Sequence, residues 1–169
     1  QVTGLCNRIE AKHINGIVEL VPTFASLTVF YDCTIINSKK LKKKVEALIN
    51  GGECDVKSTA KVWNIPVCYD DEFALDMKNV CSHTALEREE VIKLHTSKPY
   101  LIYMLGFLPG FAYLGGMDER LFTPRLKTPR LEIFEGAVGI GGEQTGIYPI
   151  ASPGGWQLIG KTPVKVFDK

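Results

Sequence analysis

The sequence predicts an α+β chain in two parts: a small α/β domain over residues 1–60, then a β-rich barrel or sandwich domain over residues 61–169. Two observations carry this. Gly106 to Gly160 holds 12 of the 16 Gly and 5 of the 9 Pro, a density that leaves room only for short strands and tight turns. Ahead of it, ordinary strand and helix patterns alternate, and the polar run Asp55-Val-Lys-Ser-Thr-Ala-Lys61 separates the two regimes. With 169 residues, 45% of them hydrophobic, the chain has enough apolar surface to build cores of this size, which excludes wholesale disorder.

Each element follows from local pattern. Ile14 to Val21 and Ser26 to Tyr31 read as strands, the second rich in the β-branched and aromatic residues that suit a half-buried pleat. Ser38 is placed to cap a helix whose apolar stripe is Leu41, Val45, Leu48 and Ile49, with Gly51-Gly52 ending it. Lys39, Lys40, Lys42, Lys43 and Lys44 then form its solvated outer face rather than an anion patch. Val62 to Tyr69 reads as a strand, held to an edge by Pro66, which has no N–H to donate. Thr84 and Glu87 stand at capping-box spacing before a helix with Leu86, Val91 and Leu94 inward, closed by His95 and broken at Ser97-Lys98-Pro99. Tyr100 to Leu105 is a further strand.

Composition excludes several function classes. A net charge of +1 gives no global attraction for polyphosphate, so no nucleic-acid partner is expected. The longest apolar run, Tyr100 to Leu108, is strand-sized and interrupted by Gly106, too short for a membrane helix. Cys6, Cys33, Cys54, Cys68 and Cys81 are odd in number with no C-x-x-C pair, which reads as reduced thiols in a cytoplasmic protein with no metal site. Gln1 to Leu5 lack both an initiator Met and a secretion-signal profile, as expected of a chain trimmed at its start.

Four motifs bear chemistry. Gly106-Phe-Leu-Pro-Gly-Phe-Ala-Tyr-Leu-Gly-Gly116 alternates glycines with rings, letting a ligand approach bare backbone while Phe107, Phe111 and Tyr113 exclude water and Gly110 leaves space. Thr123-Pro-Arg-Leu-Lys-Thr-Pro-Arg-Leu131 repeats Thr-Pro-Arg-Leu, and either Arg125 or Arg130 offers a fork for a carboxylate or phosphate. Five residues is an odd spacing, so on a regular strand only one of the two enters a given site. Arg130 is preferred because it leads into the strand candidate Leu131 to Phe134. The glycine run from Gly136 to Gly146 lacks the endings of phosphate-binding loops, but Gln144, Thr145 and Tyr148 gather an amide, a hydroxyl and a phenol suited to an amide-like or carboxylate substrate. Ser152-Pro-Gly-Gly-Trp156 sets Gly154 and Gly155 before a large ring and is not a nucleophile elbow. His95 gains interest from its place just before the aromatic-glycine segment.

Taken together, His83 to His95, Tyr103 to Gly115, the Pro-Arg pairs, Gly-Gly-Glu-Gln-Thr-Gly-Ile-Tyr-Pro149 and Ser152 to Pro163 resemble the B subunit of bacterial 5-oxoprolinase. The same family includes allophanate hydrolase subunit 1, the matching portion of urea carboxylase and an inhibitor of a sporulation histidine kinase. Gly16 to Pro22 and Ser26 to Asp32 extend the resemblance along the chain, while Ala137, Gly141 and Lys161 stand where the family more often has Ser, Ala and Arg. The resemblance implies that the second domain is a cyclophilin-like β-barrel, with an opening strand before Gln1 and a closing strand after Asp168 lying outside the sequence.

It further implies a cytoplasmic hydrolase component that acts with a homologous C subunit and an A subunit to open 5-oxoproline to L-glutamate. The cofactor is ATP with Mg²⁺ carried by the nucleotide, and the chain alone is inactive. Allophanate or carboxylated biotin as ligand, and a histidine kinase as partner of a non-catalytic module, stay open. The site residues expected on this basis are Arg130 and His95 for catalysis. Phe107, Gly110, Phe111, Tyr113, Gln144, Thr145, Tyr148, Gly154 and Gly155 are expected to bind the small lactam or amide, and Arg125, Arg130, Gly141 and Gly142 the nucleotide or another anion.

Overall fold

The structure, a computed structural model, describes residues 2–49 and 61–168 and divides the chain into two compact units, Gln1–Lys61 and Val62–Lys169. The mixed helix-and-sheet class holds in each.

In the first unit, helix α1 (Val2–Ala11) precedes an antiparallel hairpin, β1 (Ile17–Pro22) and β2 (Leu27–Tyr31), and helix α2 (Ser38–Ile49) follows. Nothing in the sequence pattern announced α1, whose Thr3 and Gly4 are poor helix formers. Burial of Cys6 and Ile9 with Ile36 and Leu41 compensates for that low propensity. The cap of α2 is Asn37 rather than Ser38: its side-chain oxygen accepts the Lys40 N–H at 2.9 Å. All five lysines of α2 are exposed and Leu41 is buried, so the lysines form a solvated face, although Ile49 at the end of the stripe is exposed too. Gly51-Gly52 lies outside the described residues.

In the second unit the expected strand from Val62 to Tyr69 does not form a ladder. Cys68 alone bridges to Lys161, exchanging both backbone hydrogen bonds at 2.7 and 2.8 Å. Pro66 has no donor to continue the pairing, and Val62 and Trp63 stay exposed. The expected capping box is also replaced. Thr84 ends helix α3 (Met77–Thr84), its hydroxyl donating back to Val80 O at 2.8 Å, and Ala85 turns the chain in the left-handed region with φ of 56°. Glu87 then caps helix α4 (Arg88–His95) through backbone geometry, without a side-chain bond.

The strands are β3 (Leu101–Leu105), β4 (Ala112–Gly115), β5 (Arg130–Ile133), β6 (Ala137–Gly141), β7 (Gln144–Ile147), β8 (Ser152–Gly154) and β9 (Gln157–Lys161). Five of them form an antiparallel sheet ordered β3-β4-β7-β6-β9, while β5 and β8 pair in a separate ribbon. Among the described residues these ladders do not join end to end, so the expected barrel is not closed by hydrogen bonds.

Alternation along the central strands divides the core in two. Val138, Ile140, Ile147 and Ile159 pack with Met77, Val80, Val91 and Leu94 of the helices. Their neighbours Ala137, Tyr148 and Leu158 turn the other way and pack with Phe111, Ile133 and Trp156. The glycines of β6 and β7 belong to this second, aromatic side. A methyl on Gly141 would sit 2.6 Å from the Trp156 indole, and one on Gly146 3.0 Å from both Trp156 and Phe111. Glycine at alternate positions therefore makes a flat floor on which the indole lies.

Candidate functional site

On the aromatic side of the second unit lies a cavity of about 270 Å³. Phe107, Phe111 and Tyr113 from the β3–β4 segment wall it, with Tyr148 after β7, Pro153, Gly154 and Gly155 from β8, Trp156, and Arg125 and Pro129 from the Thr-Pro-Arg-Leu stretch. Its rings contact one another edge to face. Phe111 is central, with centroids 4.9 Å from Tyr113, 5.2 Å from Tyr148 and 5.4 Å from Trp156. Such mutual packing fixes the wall before any ligand arrives. Phe107 lies at its edge, 60% exposed and in the left-handed region at φ of 66°, a conformation that costs an aromatic residue about 1 kcal/mol or more.

Arg125 supplies the cavity's positive charge. Its guanidinium carbon lies over the Trp156 ring, 5.6 Å from the centroid. The segment that carries it is stitched down on both sides: Leu126 N–H donates to Gly155 O at 2.7 Å and the Gln157 amide to Pro124 O at 2.9 Å. Arg130 is committed elsewhere. Its fork makes two parallel bonds to Asp76, at 2.7 and 2.9 Å, and Asp76 also accepts the Leu158 N–H at 2.7 Å. Asp76, only 2% exposed, thereby ties the β5–β8 ribbon to β9 and to the start of α3. That is a structural clamp, and Arg130 does not line the cavity.

His95 is likewise outside the cavity lining, on the helix side of the sheet. Thr145 donates its hydroxyl proton to Gly139 O at 3.0 Å, so its oxygen accepts the N–H of His95 Nε2 at 2.9 Å. This makes Nδ1 the acceptor of the Tyr69 hydroxyl at 2.8 Å. Burial pulls the imidazole pKa down to about 4 and pushes the Tyr69 phenol up to about 12, so both stay neutral at pH 7. A neutral histidine with both nitrogens satisfied holds the core together and has no proton to exchange with a ligand in the cavity.

Of the other expected residues, Gly110 borders a second, more open depression with Leu105 to Pro109, where Phe167 packs against it. Gln144 is half-buried opposite Gly141 at the end of the β6–β7 hairpin, and Thr145 belongs to the His95 network. Gly141 lies under the indole, and the Gly142 N–H donates to Thr123 O at 2.8 Å, so neither presents a backbone cradle to an anion. The structure thus brings together Phe107, Phe111, Tyr113, Tyr148, Gly154, Gly155 and Arg125, and sets Arg130, His95, Gly110, Gln144, Thr145, Gly141 and Gly142 apart from them. Pro129, Pro153 and Trp156 were not assigned from sequence. The alternate glycines 139 and 141 were the signal for Trp156, since a strand face stripped of side chains needs a large ring to cover it. Among the described residues, no group of three His, Cys, Asp or Glu side chains is placed to hold a metal ion.

A family model described as the carboxyltransferase domain, subdomain C and D, matches residues 1–169. The chain is 43% identical over 181 residues to the B subunit of 5-oxoprolinase from Bacillus subtilis (strain 168), a match covering 99% of this chain and 75% of that protein. Among solved structures, a conserved uncharacterized protein from Pyrococcus horikoshii, PH0987, superposes with a TM-score of 0.62 at 42% identity, covering 99% of this chain and 77% of that one. The urea carboxylase of Kluyveromyces lactis superposes with a TM-score of 0.78 over 95% of this chain and 16% of its own; at 24% identity it shows the shared fold.

Proposed function

The chain belongs to the carboxyltransferase-domain family, subdomains C and D, and from that premise we propose that it is the B subunit of an ATP-dependent 5-oxoprolinase. In this reading it is a cytoplasmic partner of a homologous C subunit and an A subunit, it has no turnover alone, and its second unit is a cyclophilin-like barrel. The name of the Bacillus subtilis relative, 43% identical along nearly the whole chain, supports the activity.

The observation that carries the reading at the level of chemistry is Arg125 lying over Trp156 at the wall of an aromatic cavity. 5-Oxoproline is a small flat ring with a carboxylate. Rings packed edge to face exclude water from its apolar faces, and a guanidinium stacked on an indole keeps its N–H edge free for a carboxylate. Of the residues expected to hold the nucleotide, Gly141 lies under the indole, the Gly142 N–H is bonded to Thr123 and Arg130 is bound by Asp76, which leaves Arg125 alone. In this reading the chain's share of the reaction is to hold and orient the lactam.

The test is ATP-dependent glutamate formation from 5-oxoproline by this chain reconstituted with its A and C partners. Turnover is expected only with all three, and Arg125→Ala should lower kcat/KM by roughly tenfold to a hundredfold. Turnover by the isolated chain, or none by the complete set, overturns the proposal.

A further inference from the structure

We infer that the cavity reads its ligand at two points, with the Tyr148 hydroxyl donating to the ligand's carbonyl oxygen and Arg125 taking its carboxylate. This rests on the small-substrate reading above and specifies which way round the molecule lies.

The Tyr148 ring is held rigidly, 1% exposed and in edge contact with Phe111 and Phe107 at 5.2 and 6.5 Å. Its hydroxyl end runs along β8, where Gly154 is required: a methyl there would collide with the phenol oxygen and come 2.6 Å from Ile133. The protonated phenol has one proton to donate. Of the groups whose charge acts on the phenol, Arg125 and Arg130 are guanidinium groups with no lone pair to receive that proton, and Tyr113 shares the cavity wall. A ligand carbonyl at that wall supplies an acceptor that the arginines cannot.

Burial raises the Tyr148 pKa despite the two cations, which keeps the phenol protonated and able to donate at neutral pH. Arg130 is bound to Asp76 by two hydrogen bonds, so the carboxylate falls to Arg125. A molecule with a carbonyl and a carboxylate on one small ring meets both groups at once. Molecules with either alone meet one.

The experiment is binding by isothermal titration, direct or competitive, of three compounds: 5-oxoproline, 2-pyrrolidinone, which lacks the carboxylate, and cyclopentanecarboxylate, which lacks the lactam. Tyr148→Phe keeps the ring and is expected to weaken 5-oxoproline and 2-pyrrolidinone by about fivefold while sparing cyclopentanecarboxylate. Arg125→Gln is expected to weaken 5-oxoproline and cyclopentanecarboxylate by about tenfold or more while sparing 2-pyrrolidinone. Equal loss on all three compounds, or no loss, in Tyr148→Phe overturns the two-point reading and leaves the substrate assignment standing. Failure of the unsubstituted protein to bind 5-oxoproline at all overturns both.

Discussion

The two faces of the central sheet treat polar groups in opposite ways. On the helix side, His95, Tyr69 and Thr145 close a chain of hydrogen bonds in which every donor finds an acceptor within the protein. On the aromatic side, the buried Tyr148 and the exposed Arg125 over Trp156 line a cavity and keep bonding capacity available to it. The arginine pair repeats the contrast: Arg130 is paired with a buried carboxylate, whereas Arg125 rests on a ring that leaves its donors available. Burial and polarity together do not single out the residues that face the cavity, whereas hydrogen-bonding capacity left over at its wall does.

If Arg130 serves the fold and Arg125 the ligand, the largest loss of stability should come from Asp76→Ala. It leaves the Leu158 N–H and a largely covered Arg130 without partners, and about 3 kcal/mol of unfolding free energy is expected to go, read from urea titration. Losing less than about 1 kcal/mol would mean that the clamp is not structural.

The His95 network predicts a pH dependence nearly as large. Folded His95 stays neutral down to about pH 4, whereas the ordinary imidazole value is 6.5. Between those values unfolding takes up a proton, so acidification favours the unfolded chain: this stabilisation is complete above about pH 6.5 and is lost as pH falls toward 4. The loss amounts to roughly 3 kcal/mol. Urea midpoints measured near neutrality and in mild acid should differ much less in His95→Asn, which cannot titrate, than in the unsubstituted protein.

On the aromatic side, Gly141→Ala tests the flat floor under the indole. A methyl 2.6 Å from that ring must displace Trp156, for an expected cost of about 1 to 3 kcal/mol together with a change in Trp156 fluorescence. The smallest effect on stability is expected from Arg125→Ala, under about 0.5 kcal/mol, because its charge is not needed by any buried partner. The same substitution should have a large effect on binding of carboxylate ligands, and thermal melts beside titrations will separate the two.

Much of the site was legible in the chain. Gly106 to Gly116 announced rings set among glycines, and Phe107, Phe111 and Tyr113 do wall the cavity. Gln144, Thr145 and Tyr148 looked like one polar group because they are close in sequence. Thr145 and Tyr148 are three apart, however, and an odd interval on extended chain sends them to opposite faces, one to His95 and the other to the cavity. The capping-box spacing of Thr84 and Glu87 misled for a related reason: the hydroxyl had a nearer acceptor in the preceding helix, at Val80 O.

Periodicity, glycine spacing and ring content are local properties, and they were enough to specify the helix-and-sheet class, the inward stripe of α4 and most of the rings in the aromatic wall. Which arginine faces the cavity is not local. Asp76 stands 54 residues from Arg130, and Thr145 stands 50 from His95. No pattern in a short window predicts such partners, because a side chain's free bonding capacity is what remains after distant segments have packed against it. The packing of those segments is what commits Arg130 and His95 to the fold and leaves Arg125 and Tyr148 facing the cavity.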